Sequence, residues 1–476
     1  MTAASFYFYD LETWGAEPKK DRIAQFAGIR TDLDLQPLAA PDMAYCQLAP
    51  DYLPAPEAVL ITGITPQKCQ QLGYSEVEFI RQLHQQLSAP QTCVVGYNNI
   101  RFDDEMVRHT LFRNYIDPYG REWQNGNSRW DLIDVVRACY ALRPDGIEWP
   151  LKDDGSPSFR LEDLTKANGI SHQHAHDATS DVYATIALAA LIRKAQPKLF
   201  DYLYQHRQKQ KLSALIDVAG LTPLVHVSSK FPALQGCCSW IVPIAFHPSN
   251  KNAVICFNLQ QDPSLLLTLS VAEIQRRIYA KSIDLASDEV RPALKLVHLN
   301  KCPVLAPAKT LSAERAALLG IDRAQCLAHL EILRQNQAQL SAVFLEVFSE
   351  TERPQTSDNP DYSLYQGFIS DYDRQLLPLV HQLSPQQLAV NPPVFQDDRL
   401  NQLMFRFRAR NYTESLTHAE LLQWQRYCHD TLTFGHGNPA RTIDDFVLAL
   451  DNAANMCDSD PIKVRLLKSL YQLVLG

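Results

Sequence analysis

Apolar and polar positions change rhythm three times along this chain. Phe6-Tyr7-Phe8-Tyr9 is an unbroken apolar run, which predicts a strand buried on both faces. Ile23–Arg30 predicts a second strand, and Thr92–Tyr97 a short buried one. Ser75–Leu87 carries Val77, Phe79, Ile80, Leu83 and Leu87 at helical spacing. Further helices are predicted from about Asp104, over Trp130–Leu142, over Leu161–Ala167 and over Asp177–Ile192. Asn168-Gly169 supplies a left-handed stop for the third of these. This alternation predicts an α/β domain around one central sheet. Beyond Pro197 the runs shorten to Val225–Val227, Ser239–Pro243 and Ala253–Phe257, broken by Gly, Pro and Asn. Helical segments follow over Val271–Tyr279 and Ala313–Gln335. A small β-barrel or sheet decorated by helices is predicted over 197–350. Thr351–Pro360 reads as a polar, proline-containing linker, and from about Tyr362 the pattern is helical.

Length agrees with this division, since 476 residues exceed one ordinary core and predict two to four domains. Apolar residues at 46% and charged residues at 21% fit a folded globular protein. No run of eighteen uncharged apolar residues predicts a membrane span, and the first residues lack a signal-peptide pattern. The 11 cysteines include no Cys-x-x-Cys and no Cys/His cluster at zinc spacing. They read as free thiols in a reducing cytosol. A net charge of −8 excludes a protein coated in positive charge. Two basic clusters stand out, Arg193–Lys211 and Arg406, Arg408 and Arg410. Each is either a local nucleic-acid contact or a solvated helix face.

Candidate chemistry sits where these elements end. Asp10 and Glu12 are two apart on the first strand, so both carboxylates point to one side at its C-terminal end. Such a pair repels itself unless protons or cations neutralise it, and hard oxygen ligands suit magnesium or manganese. Asp103, Asp104 and Glu105 lie between a strand and a helix. Asp103 is the better ligand candidate, and one of Asp103 and Asp104 is expected to be the helix N-cap. His176 opens the Asp177–Ile192 helix, and Asp181 lies one turn inside it. An acid there needs a partner or a cation unless it faces solvent. His172 and His174 lie nearby, and spacing alone does not choose among the three histidines.

These three blocks resemble the three motifs of the DEDDh (DnaQ-like) exonuclease superfamily: Asp-x-Glu on a strand, Asn-x-x-Phe-Asp, and His-x-Ala-x-x-Asp. Further segments resemble the bacterial exonuclease I family: Ile61–Pro66, Gly96–Asn99, Asn127–Leu132, Ser158–Leu161, Leu164–Ile170 and His298–Leu305. The likeness extends over nearly the whole chain and weakens over the last hundred or so residues.

The resemblance implies an α/β, RNase H-like exonuclease domain with a mixed central sheet over 1–194. An SH3-like β domain with helices follows over 197–350, and an all-helical C-terminal domain over 354–476. It implies a monomeric, cytoplasmic bacterial enzyme. Its reaction is two-metal hydrolysis of single-stranded DNA from the 3′ end to 5′-mononucleotides, in repair and recombination. By the same resemblance Asp10, Glu12, Asp181 and Asp103 hold two Mg2+ ions, with Mn2+ as a substitute. His176 takes the proton from the attacking water, with Asp103 and Glu12 also catalytic and Glu12 also touching substrate. Arg108, Tyr119, Trp123, Arg137 and Arg160 match positions that contact single-stranded DNA, Arg160 nearest the scissile phosphate. Arg143, Tyr202 and Arg334 match positions that bind the C-terminal tail of single-stranded DNA-binding protein. Thr222, Pro307 and Ser312 replace other basic or amide positions there. The competing expectations are a DEDDh nuclease acting on RNA and a non-catalytic DNA-binding scaffold.

Overall fold

The computed structural model describes residues 3–172, 177–349, 358–456 and 460–475. The chain forms two compact units, one of residues 1–128, 172–186 and 353–476 and the other of residues 129–171 and 187–352.

In the first unit, β1 (Ser5–Thr13) is an inner strand. It pairs antiparallel with β2 (Ile23–Thr31) and parallel with β4 (Thr92–Gly96). β3 (Asp42–Tyr45) continues the sheet antiparallel to β2, so the order β3-β2-β1-β4 is mixed. Burial on both faces explains the aromatic run, because Phe6, Tyr7, Phe8 and Tyr9 are all fully enclosed. Gly28 on β2 is required by that packing: a Cβ there would lie 2.2 Å from the Tyr7 hydroxyl.

One group of side chains in the core joins Tyr7, Tyr9 and Val94 to Phe79, Ile80 and Leu83 of the Glu76–Leu87 helix and to Met106 and Val107 of the Asp103–Arg113 helix. The C-terminal helices complete the same unit. Phe446, Leu450 and Leu470 pack with Trp14, Ala24 and Val59, while Leu377, Leu400 and Phe407 pack with Val77, Phe112 and Tyr115. A buried ionic chain runs through it. Glu76 accepts from Arg22 at 3.0 Å and Arg113 at 2.9 Å, and Arg410 bridges Asp51 and Asp361 at 2.6 Å each.

The second unit is built on a fully antiparallel sheet, β10-β6-β7-β8-β9. Its strands are β6 (Leu224–Val227), β7 (Cys238–Phe246), β8 (Ala253–Asn258), β9 (Leu294–His298) and β10 (Val304–Pro307). Leu224, Ile241, Val254, Val297 and Leu305 form its core. The short strand β5 (Ser128–Asp131) lies where the chain passes from one unit to the other.

Several expectations need correction. Trp130 belongs to β5, and the following helix begins only at Leu132, where the Asp131 side chain caps it. The helix predicted over Ala313–Gln335 is two, Ala313–Leu318 and Arg323–Gln335, separated at Gly320 with φ of 68°. Arg406, Arg408 and Arg410 are neither a solvated face nor exposed to a polyanion: they pair with Asp361, Glu420 and Asp51. Most of the linker predicted over Thr351–Pro360 lies outside the described residues, and Pro360 opens a short 3-10 turn. No described helix is long and apolar enough to cross a membrane.

Candidate metal centre

Asp10 and Glu12 lie towards the end of β1, and Asp181 in the first turn of the Ala178–Ala195 helix. One carboxylate oxygen from each lies within 4.8 Å of the others. Asp103 opens the Asp103–Arg113 helix, and its charge acts on both Asp10 and Glu12. The turn after β4 makes this possible. At Gly96 a Cβ would lie 2.6 Å from that of Asn99 and 3.1 Å from the Tyr9 carbonyl, and Asn98 takes a φ of 66°.

Neither Asp103 nor Asp104 is the N-cap, because that position is held by Phe102, without a side-chain cap bond. Both acids sit inside the first turn, where the helix dipole favours them. Asp104 is fully buried and accepts from the Tyr9 hydroxyl and from Arg121 Nη2, each at 2.8 Å. It ties the helix start to β1 beside Asp10.

Burial and neighbouring charge act together on the acids. The Asp10 carboxyl is held well above its ordinary range by burial, then by Asp103, Glu12 and Asp181. Glu12 is pushed up to about 8 by burial, then by Asp181, Asp103 and Asp177. Carboxylates gathered this closely in a partly enclosed place are the donor set of a hard divalent cation, which supplies the missing positive charge.

His176 lies outside the described residues, together with Gln173, His174 and Ala175. Among the described residues His172 makes a very short contact through Nε2 with Asp181 Oδ1. Asn99, fully buried, finds no hydrogen-bond partner for its side-chain amide among the described residues. Neither feature had a signal in the residue spacing.

The residues assigned to DNA differ in availability. Trp123 is 67% exposed. Arg108 is buried, donating to Glu122 and Glu105 at 2.7 Å each and lying over the Tyr119 ring. Tyr119 is half-buried against the Phe112 and Leu377 core. In the second unit Arg137 donates to Asp134 at 2.7 Å, and Arg160 is exposed at the start of the Leu161–Ala167 helix. Arg143 and Tyr202 line one cavity of about 340 Å³ there, with Lys198 and Thr310. Arg334 is exposed and not part of that lining. Thr222 bonds Asp217, and Ser312 caps the Ala313–Leu318 helix.

Family models for an exonuclease, an exonuclease I SH3-like domain and an exonuclease I C-terminal domain match residues 7–189, 207–350 and 358–475. Exodeoxyribonuclease I of Escherichia coli K12 is 48% identical over 469 residues, 98% of this chain and 97% of that protein. This chain belongs to the exonuclease I family. Among solved members of that family, the zinc-ion-bound form of an E. coli exonuclease I complex with single-stranded DNA is 47% identical, with a TM-score of 0.94. The match covers 99% of each chain. A structure of SSB/exonuclease I with an inhibitor is likewise 47% identical, with a TM-score of 0.91 over 99% of each chain. The mixed sheet with its acids at the strand end, and the antiparallel five-stranded sheet of the second unit, are therefore the exonuclease and SH3-like parts of an exonuclease I fold.

Proposed function

We propose that this protein is an exodeoxyribonuclease that degrades single-stranded DNA from the 3′ end to 5′-mononucleotides. Its place is the bacterial cytoplasm, in repair and recombination, and its metal is magnesium, with manganese as a substitute. The observation that carries the reading is the convergence of Asp10, Glu12 and Asp181 within 4.8 Å, in a chain 48% identical to exodeoxyribonuclease I over nearly its full length.

Asp10, Glu12 and Asp181 would hold a divalent cation, and Asp103 would help to hold a second one. When bound, divalent cations acidify a coordinated water and neutralise charge on the leaving 3′ oxygen. His176 accepts the proton of the attacking water, a task suited to a side chain that is largely unprotonated near neutral pH. Asp104 keeps Asp103 in place through Tyr9 and Arg121. Trp123 offers a face on which any base stacks, and Arg160 neutralises backbone phosphate, so the strand is gripped without regard to sequence. Arg108, Tyr119 and Arg137 complete the proposed strand contacts. Arg143, Tyr202 and Arg334 form the proposed contact with the tail of single-stranded DNA-binding protein. The division 1–194, 197–350 and 354–476 is proposed as the functional one.

The test is hydrolysis of 5′-labelled single-stranded DNA and of the matched RNA. With magnesium, DNA should shorten from its 3′ end while RNA and EDTA controls persist. Faster loss of RNA would favour an RNA-trimming enzyme, and binding without cleavage would favour a scaffold. His176→Ala should lower turnover about 10²- to 10⁴-fold while single-stranded DNA affinity stays.

A further inference from the structure

The strand that carries Asp10 and Glu12 runs into a turn with two lysines, Lys19 and Lys20, before β2 begins at Ile23. That turn is fastened from inside. Asp21, buried, accepts from the Glu17 amide at 2.8 Å, the Tyr52 hydroxyl at 2.6 Å and Arg441 at 3.0 Å. Its own amide and that of Lys20 donate to the Glu17 carbonyl, at 2.7 and 3.0 Å. At Gly15 a Cβ would lie 2.3 Å from Asp21 Oδ2, so the chain closes on this carboxylate with no side chain between. A backbone tied at so many points presents its lysines with little left to order on binding.

The two ammonium groups differ. Lys20 donates to the Asn438 side chain at 3.1 Å, a neutral amide that fixes where it points. Lys19, half-buried, has no hydrogen bond and no ion pair among the described residues, and Glu17 forms no ion pair among them either. The charge of Lys19 reaches His109, whose ring is pushed down to about 3 by burial and then by Arg113, Lys19 and Arg108. His109 follows Arg108 in the helix that Asp103 opens, and its ring packs edge-on against Tyr365 at 5.6 Å. Lys19 therefore stands beside the same helix as Asp103 and Arg108. Arg108 is already matched by Glu105 and Glu122, so that group adds no net positive charge. Lys19 is a cation that a phosphate can meet without breaking an ion pair.

We propose that Lys19 grips a backbone phosphate of single-stranded DNA, as a further strand-binding residue beside the metal centre. The contact rests on the single-stranded DNA substrate proposed above.

The test is fluorescence anisotropy of the full chain with labelled single-stranded DNA in EDTA, over a range of salt. One lost phosphate contact should flatten the slope of log affinity against log salt by about 0.7. Lys19→Gln should show that change and weaken binding about threefold to tenfold at about 0.1 M salt. Lys19→Arg should restore both. Lys20→Gln removes the same charge from the next position and should keep the wild-type slope. With magnesium, Lys19→Gln should raise KM and keep kcat, and its melting temperature should match the wild type. An unchanged slope in Lys19→Gln, or equal flattening in Lys19→Gln and Lys20→Gln, would overturn the contact and leave the substrate standing. Failure of the wild-type chain to bind the strand would overturn the substrate reading, and the contact with it.

Discussion

At the scale of single residues, exposure separates two kinds of DNA-facing candidate. Trp123 is 67% exposed and carries no packing duty, so Trp123→Ala should keep the thermal midpoint. It should also weaken single-stranded DNA binding about tenfold, the worth of roughly one stacked base. Arg108→Ala should behave differently, because Arg108 neutralises Glu105 and Glu122. Its removal leaves two acids facing each other, and the melting temperature should fall along with DNA binding. Asp181→Ala belongs with neither. It should cost at least about 100-fold in magnesium-dependent cleavage. Without metal its effect on the melting temperature should be small, because relief of repulsion among the carboxylates opposes loss of the His172 contact. The pairing of Asp10 with Glu12 was readable from strand spacing, whereas the place of Asp181 beside them came with the resemblance to the exonuclease motifs. The histidine was not readable from spacing, because three histidines within five residues offer nearly equivalent positions. Arg121 gave no sign at all: its partner Asp104 lies 17 residues away, across the rest of the Asp103–Arg113 helix and the turn after it.

At the scale of elements, β1 was legible because burial on both faces leaves a run of aromatics. The helix starting at Leu132 was read two residues early because Trp130 is as apolar as the helix, and the true boundary marker is the Asp131 cap. β9 escaped notice because only one of its five residues is fully buried, so little hydrophobic pattern marks it. The Glu76–Leu87 helix shows what pattern alone hides. Its first residue is a buried glutamate, and burial alone would raise that carboxyl. Arg113 and Arg22 prevail and hold it well below the ordinary range. A depressed carboxyl contributes stability above its unfolded value of about 4.3 and loses it as pH falls below that value. Glu76→Gln should therefore lower the melting temperature near neutral pH, by an amount corresponding to about 3–5 kcal/mol. The gap from wild type should narrow below about pH 4. A gap constant with pH would show that Arg22 and Arg113 do not act through that charge.

At the scale of the molecule, the first unit is assembled from both ends of the chain. Its ionic chain joins Glu76, Arg22 and Asp51 to Arg410, Asp361 and Arg406. Asp361→Asn should lower the melting temperature of the whole unit, and metal binding at Asp10 and Asp181 should be lost in that same transition. Loss of metal binding at a temperature different from that at which the first unit's C-terminal helices unfold would contradict this. Asp51 and Arg410 are 359 residues apart. On a ribosome adding about 5–20 residues per second, the aspartate waits about 20–70 s for its arginine. All five strands β6–β10 emerge within that interval. The second unit is therefore the first that can finish folding during synthesis, while the acids at the end of β1 remain in an incomplete setting. Asp51 and Asp361 gain the arginine they share only when the Asp398–Asn411 helix has left the tunnel.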